Sequence, residues 1–119
     1  FLMPSRFEPC GLSQLYSLKY GTEPLVRGIG GLLNTVTDTN DDTLSAKTAN
    51  GFVFEDSSVR ALSETMKRAY QCHKRQGRWQ EIVQNGMNMD WSWRSAAQRY
   101  LQLYDNTIKR CSGGLDALD

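Results

Sequence analysis

Glu8, Gly11 and Ser13 stand within six residues of one another, in the string Pro4-Ser5-Arg6-Phe7-Glu8-Pro9-Cys10-Gly11-Leu12-Ser13-Gln14. They follow the apolar tripeptide Phe1-Leu2-Met3 and precede a run with helical spacing. In an open α/β sheet, ligands bind beyond the carboxyl ends of the strands, where helices begin. A helix start presents unpaired backbone N–H groups and a partial positive charge, which suits a phosphate. Gly11 permits close backbone approach there, and the Ser13 hydroxyl adds a donor. The residue types therefore describe an anion-binding row of amides beside one carboxylate. On composition alone, an ordinary strand-to-helix loop is the plainer reading of the same residues.

The other conspicuous side chains read as structural. His73, the single histidine, has no serine or cysteine partner in a recognisable motif and is expected on a helix surface. Cys10 sits near a helix start, which lowers a thiol pKa, but a small loop residue explains it as well. Cys10, Cys72 and Cys111 are odd in number and scattered, with neither a disulfide framework nor zinc spacing. Trp79, Trp91 and Trp93 are expected in helix packing rather than stacked on sugars. The Asp38–Asp42 stretch lacks a calcium-loop pattern and reads as a solvated loop, and Lys67-Arg68 and Lys74-Arg75 as a solvated helix face.

The elements that must position these residues follow from periodicity. Phe1–Met3 reads as a strand and Leu12, Leu15, Tyr16 and Tyr20 as one face of a helix closed by Gly21. Pro24–Val26 is a second strand, Gly28–Gly31 a flexible turn and Leu32–Val36 a short extended piece. Thr37–Asn50 is polar and expected as a solvated loop without core residues. Gly51–Phe54 is a third, buried strand. Asp56, Ser57 and Ser58 offer cap oxygens to a helix whose inner residues are Val59, Leu62, Met66, Ala69 and Tyr70, running to about Arg75 and broken by Gly77. Trp79, Ile82 and Val83 mark a short helix ending near Gly86. Ser92 caps a last helix with an inner face of Trp93, Ala96, Ala97, Tyr100, Leu101, Tyr104 and Ile108. Residues 112–119 are expected to fray.

The fold class predicted is α/β, a partial Rossmann-like unit with a short parallel sheet and C-terminal helices. So few strands leave an open sheet edge, which offers pairing with a second copy of the chain. A first residue already inside a strand suggests a piece of something longer. The 119 residues suit at most one domain, and 14 Lys and Arg against 13 Asp and Glu give no electrostatic case for a nucleic-acid partner. No apolar run reaches spanning length and no basic amphipathic segment points to a membrane surface. The cysteine usage fits a reducing cytoplasm.

The literal string goes further than the residue types. Ser5-Arg6-Phe7-Glu8-Pro9-Cys10-Gly11-Leu12, then Tyr20-Gly21-Thr22, Pro24–Arg27, Gly30-Gly31-Leu32, Gly51–Phe54 and Met89–Trp93 closely resemble the bacterial glycogen synthase and plant starch synthase family. The resemblance runs to about Lys109. It implies the carboxy-terminal part, residues 1–111, of the nucleotide-sugar-binding domain of a GT-B enzyme. That family transfers glucose, with retention and without a metal or cofactor, from ADP-glucose to the non-reducing end of an α-1,4-glucan.

By the same resemblance, Glu8 matches the acidic residue beside the donor sugar. Cys10, Gly11 and Leu12 match the loop whose amides hold the glucose. Ser13, in place of a threonine, and Gln14 lie by the diphosphate. The E-x7-E pair of related transferases is absent, because Tyr16 occupies the second position; this fits the glycogen synthase branch and removes a paired-carboxylate hydrolytic mechanism. Where the family shows Arg-Arg-Thr-Gly-Gly-Leu, this chain has Arg27-Gly28-Ile29-Gly30-Gly31-Leu32. The family's glycine-rich loop, phosphate-binding arginine and lysine, and adenine-stacking aromatic have no counterpart here, so the chain alone is expected to be inactive. The alternatives are a non-catalytic module that dimerises through its sheet edge and a generic phosphate-binding domain.

Overall fold

The computed structural model describes residues 1–112 of the chain; the frayed tail expected at 112–119 lies, apart from Ser112, outside them. Two compact units are present, Phe1–Met89 and the segment from Asp90 onward.

The first unit is built on a parallel sheet of β1 (Leu2–Met3), β2 (Leu25–Arg27) and β3 (Phe52–Phe54), in that order. Leu2 pairs with Leu25, and Leu25, Val26 and Arg27 pair with Phe52, Val53 and Phe54. Alternate side chains point to opposite faces of a strand, so this register sorts the apolar residues into two layers. Leu25, Phe52 and Phe54 gather on one face with Ala49 and Ile82. Met3 and Val26 gather on the other with Leu32 and Val36. Both faces are covered, which is why the strands read as short, unbroken apolar runs.

Helix α1 (Ser13–Lys19) links β1 to β2 and ends with Gly21 at φ +70°. The segment expected as extended over Leu32–Val36 is instead helix α2, Gly31–Thr35. Leu32 and Val36 are four residues apart, and a helical turn puts both on one face; both are buried in the second layer. Thr35 Oγ1 secures the turn by donating to the Gly31 carbonyl at 3.0 Å.

The Thr37–Asn50 stretch also departs from expectation. It contains helix α3 (Asp41–Ser45), capped reciprocally by Asn40 and Thr43. Thr39, Ala49 and Asn50 are buried, not solvated. Asn50 accepts from the Thr37 amide at 2.7 Å and donates to the Thr35 carbonyl at 3.1 Å. A polar side chain that satisfies main-chain groups in this way enters a core without penalty.

Helix α4 (Val59–His73) is capped by Ser58, whose Oγ accepts from the Ala61 amide at 3.1 Å. Its packed side carries Ala61, Leu62, Thr65, Ala69 and Cys72. Val59, Met66 and Tyr70, expected inside, are exposed. Arg68 is only partly solvated: it lies over the Phe52 ring and donates to Asp38, Thr39 and Val53. Gly77 is not the breaker. The chain turns at Lys74-Arg75, and Gly77 lies in the first turn of α5 (Gln76–Met87). Trp79 stacks on Phe52 with centroids 6.2 Å apart, as expected of a packing residue, while His73 is exposed and meets its edge.

The second unit is helix α6 (Trp93–Ser112) with its lead-in, where Asp90 accepts from the Ser92 amide at 2.8 Å. Ser92 Oγ faces the Ser95 amide at 3.4 Å, as its expected capping role requires. The face expected to be internal is exposed at Trp93, Tyr100, Leu101, Tyr104 and Ile108, and Trp91 is exposed as well. Trp93 is 88% exposed, whereas Trp91 keeps only 37% of its surface exposed. No helix among the described residues is long and apolar enough to cross a membrane.

Candidate functional site

The loop from Pro4 to Leu12 leaves the carboxyl end of β1 and enters α1, and three separate groups strap it down. At its start, Arg27 at the end of β2 donates to the carbonyls of Ser5 (3.4 Å) and Arg6 (3.3 Å), and its Nε to that of Glu55 (3.1 Å). In the middle, the Gly31 amide donates to the Glu8 carbonyl at 3.0 Å. At its end, Gln14 Nε2 donates to the carbonyls of Cys10 (3.1 Å) and Gly11 (3.0 Å) and reaches Thr35 Oγ1 at 3.2 Å.

The middle strap requires backbone to lie on backbone. Gly30 has φ +52°, and a Cβ there would run into the Glu8 carbonyl oxygen. A Cβ at Gly31 would collide with the Cys10 backbone. The turn expected to be merely flexible is thus a tightly fitted shelf under Glu8 and Cys10. Sequence reading missed Arg27, Gly31 and Thr35 as contributors, because what they touch is distant along the chain. The adjacent glycines were the available signal.

Of the predicted site residues, Glu8 is half-buried, while Cys10, Leu12 and Ser13 are exposed. Gly11 is half-buried at φ +73°. Leu12 is the N-cap of α1, and no side chain makes a capping hydrogen bond to the helix. Gln14 is different. It is fully buried, its amide nitrogen spent on the loop and on Thr35. Its side chain fixes the shape of the loop. No cluster of three or more metal-binding side chains occurs among the described residues. The arrangement offers one carboxylate and a row of fixed main-chain groups, a geometry that can hold hydroxyls and stabilise charge without reorganising.

No family model matches the chain. It is 51% identical over 108 residues to a glycogen synthase of Dechloromonas aromatica (strain RCB), covering 91% of this chain and 22% of that protein. It is 44% identical over all 119 residues to glycogen synthase 1 of Methylococcus capsulatus, covering 24% of that protein. Among solved structures, the catalytic domain of starch synthase IV from Arabidopsis thaliana, bound to ADP and acarbose, superimposes with a TM-score of 0.77 at 36% identity, covering 92% of this chain and 22% of that one. This chain is homologous to the glycogen and starch synthases. The expected fold class holds, a mixed α/β portion like that of a GT-B glycosyltransferase domain. The chain spans about a fifth of the length of the glycogen synthases it matches. Similarity across nine-tenths of this chain does not favour the alternative, a non-catalytic truncated domain acting as an interaction or dimerising module.

Proposed function

We propose that residues 1–111 form the carboxy-terminal portion of the donor-binding domain of a cytoplasmic glucosyltransferase. Its donor is ADP-glucose and its acceptor the non-reducing end of an α-1,4-glucan. The observation that carries this reading is the strapped Glu8–Leu12 loop at the open start of α1. That a homologous starch synthase domain is bound to ADP and acarbose supports a nucleotide and a glucan-like sugar as the ligands.

In this reading Glu8 accepts hydrogen bonds from hydroxyls of the donor glucose, and its negative charge favours the cationic sugar that forms as the bond to the diphosphate breaks. The amides of Cys10, Gly11 and Leu12 grip the sugar. Ser13 donates to the departing diphosphate, where electrons from the broken C1–O bond accumulate. Gln14, Gly31 and Arg27 act as positioning residues, holding the loop before substrate arrives. A single carboxylate suffices, because the acceptor hydroxyl attacks on the face the ADP leaves and gives its proton to an oxygen of the departing diphosphate.

The test joins this segment to the remaining domains of a homologous glycogen synthase and compares the parent with Glu8→Gln. The substitution keeps size and hydrogen bonding but removes the charge. Turnover should fall on the order of 100-fold with ADP affinity little changed, as for loss of one group that stabilises the transition state. Near-normal turnover would end the assignment.

A further inference from the structure

The Glu8 loop follows β1, one edge strand of the sheet; a second polar recess lies beside β3, the other edge. It is a cleft of about 310 Å³ between the start of α3, the end of α4 and the start of α5, with Phe52 and Cys72 among its lining residues. Three guanidiniums, Arg68, Arg75 and Arg78, converge on it. Arg68 is neutralised by Asp38, its NH1 lying 2.8 Å from Oδ2. Arg75 and Arg78 have no carboxylate partner among the described residues. Asp41 is the one acidic side chain in the lining, so the cleft keeps an excess of positive charge.

Arg75 is the N-cap of α5 and Arg78 lies in its first turn, so the helix start holds both side chains on the cleft. Guanidiniums match the oxygens of a tetrahedral anion two at a time. Hydroxyl and amide side chains of Thr39, Asn40 and Gln71 complete the polar lining. The volume is at the small end for ligand sites and suits a compact molecule.

We propose that this cleft binds a small phosphate-bearing anion, recognised by Arg75 and Arg78. The site is separate from the Glu8 loop and does not depend on the function proposed for it. The anion is either free phosphate or a phosphate monoester. Amide NMR of the 119-residue chain, titrated at constant ionic strength with inorganic phosphate, with a hexose phosphate or with chloride, distinguishes them.

Saturable shifts centred on Arg75 and Arg78 are expected with at least one phosphate compound and not with chloride. Whichever compound binds more tightly identifies the source. Arg75→Gln with Arg78→Gln should weaken binding about tenfold or more at an unchanged Tm, since both side chains are exposed. Asp41→Asn, which removes the only acid in the lining, should tighten it. Glu8→Gln should leave it unaltered. Shifts that do not saturate, that chloride reproduces, or that survive the double substitution would overturn the proposal.

Discussion

A methyl group at position 31 has nowhere to go, because the Cys10 backbone already occupies the space beside the Gly31 Cα. The same residue donates its amide to Glu8. Gly31→Ala must therefore push the β2–α2 turn off the loop or move the loop itself. Overpacking against backbone costs about 2–4 kcal/mol, and urea unfolding should show a loss of that size. Gly77→Ala is the matched control: that position is open, and the change should stay within about 0.5–1 kcal/mol of the parent. Equal effects at both sites would show that the shelf is not tight. The string around Glu8 was legible in the sequence because its residues are contiguous. The role of Gly30-Gly31 was not, because a glycine's need for close approach depends on a partner the fold brings in from elsewhere. The chain departs from the family pattern at Gly28-Ile29, yet the positions it keeps, Arg27, Gly30 and Gly31, are those that grip the loop.

At the scale of elements, periodicity located every strand and most helices but misplaced three of the five residues expected inside α4. Val59, Met66 and Tyr70 are exposed, whereas Leu62 and Ala69, also expected inside, pack with Ala61 and Cys72 against the cluster of Phe52 and Phe54. Hydropathy ranks residues by type, while the sheet selects them by fit. The stretch before β3 was misread for a related reason. Asp38 looks like a solvated acid, but Oδ1 accepts from the Val53 amide at 2.7 Å and from Arg68 NH2 at 2.8 Å, and Oδ2 accepts from Arg68 NH1 at 2.8 Å. This fork ties α4 to the edge strand. Asp38→Ala leaves a half-buried guanidinium and a strand amide without their acceptor and should cost about 2–3 kcal/mol in denaturant unfolding. Pairing it with Arg68→Met removes the stranded charge, so the double variant should be less destabilised than the sum of the two single changes. Strict additivity would mean that the pair does not act as a unit.

The stability of the whole unit should carry the signature of one buried acid. Glu23, between α1 and β2, is only 6% exposed, and neither carboxylate oxygen has a hydrogen-bond partner. Burial pushes its pKa from 4.5 up to about 7. The folded chain therefore holds this proton more tightly than the unfolded chain does. Its contribution to stability is complete below the unfolded value of 4.5 and is lost as pH rises through about 7. A shift of this size at a largely dry site corresponds to a loss on the order of 2 kcal/mol. Other carboxylates titrate over part of the same range, so the measurement that isolates Glu23 is the difference between the parent and Glu23→Gln, taken from urea unfolding at about pH 5 and about pH 8. The glutamine reproduces the protonated acid at every pH. The two proteins should be similar at the lower pH, and the variant more stable by on the order of 2 kcal/mol at the higher. A constant gap between them would mean that Glu23 reaches water and ionises at its ordinary value, and that this part of the interior is wetter than its packing indicates.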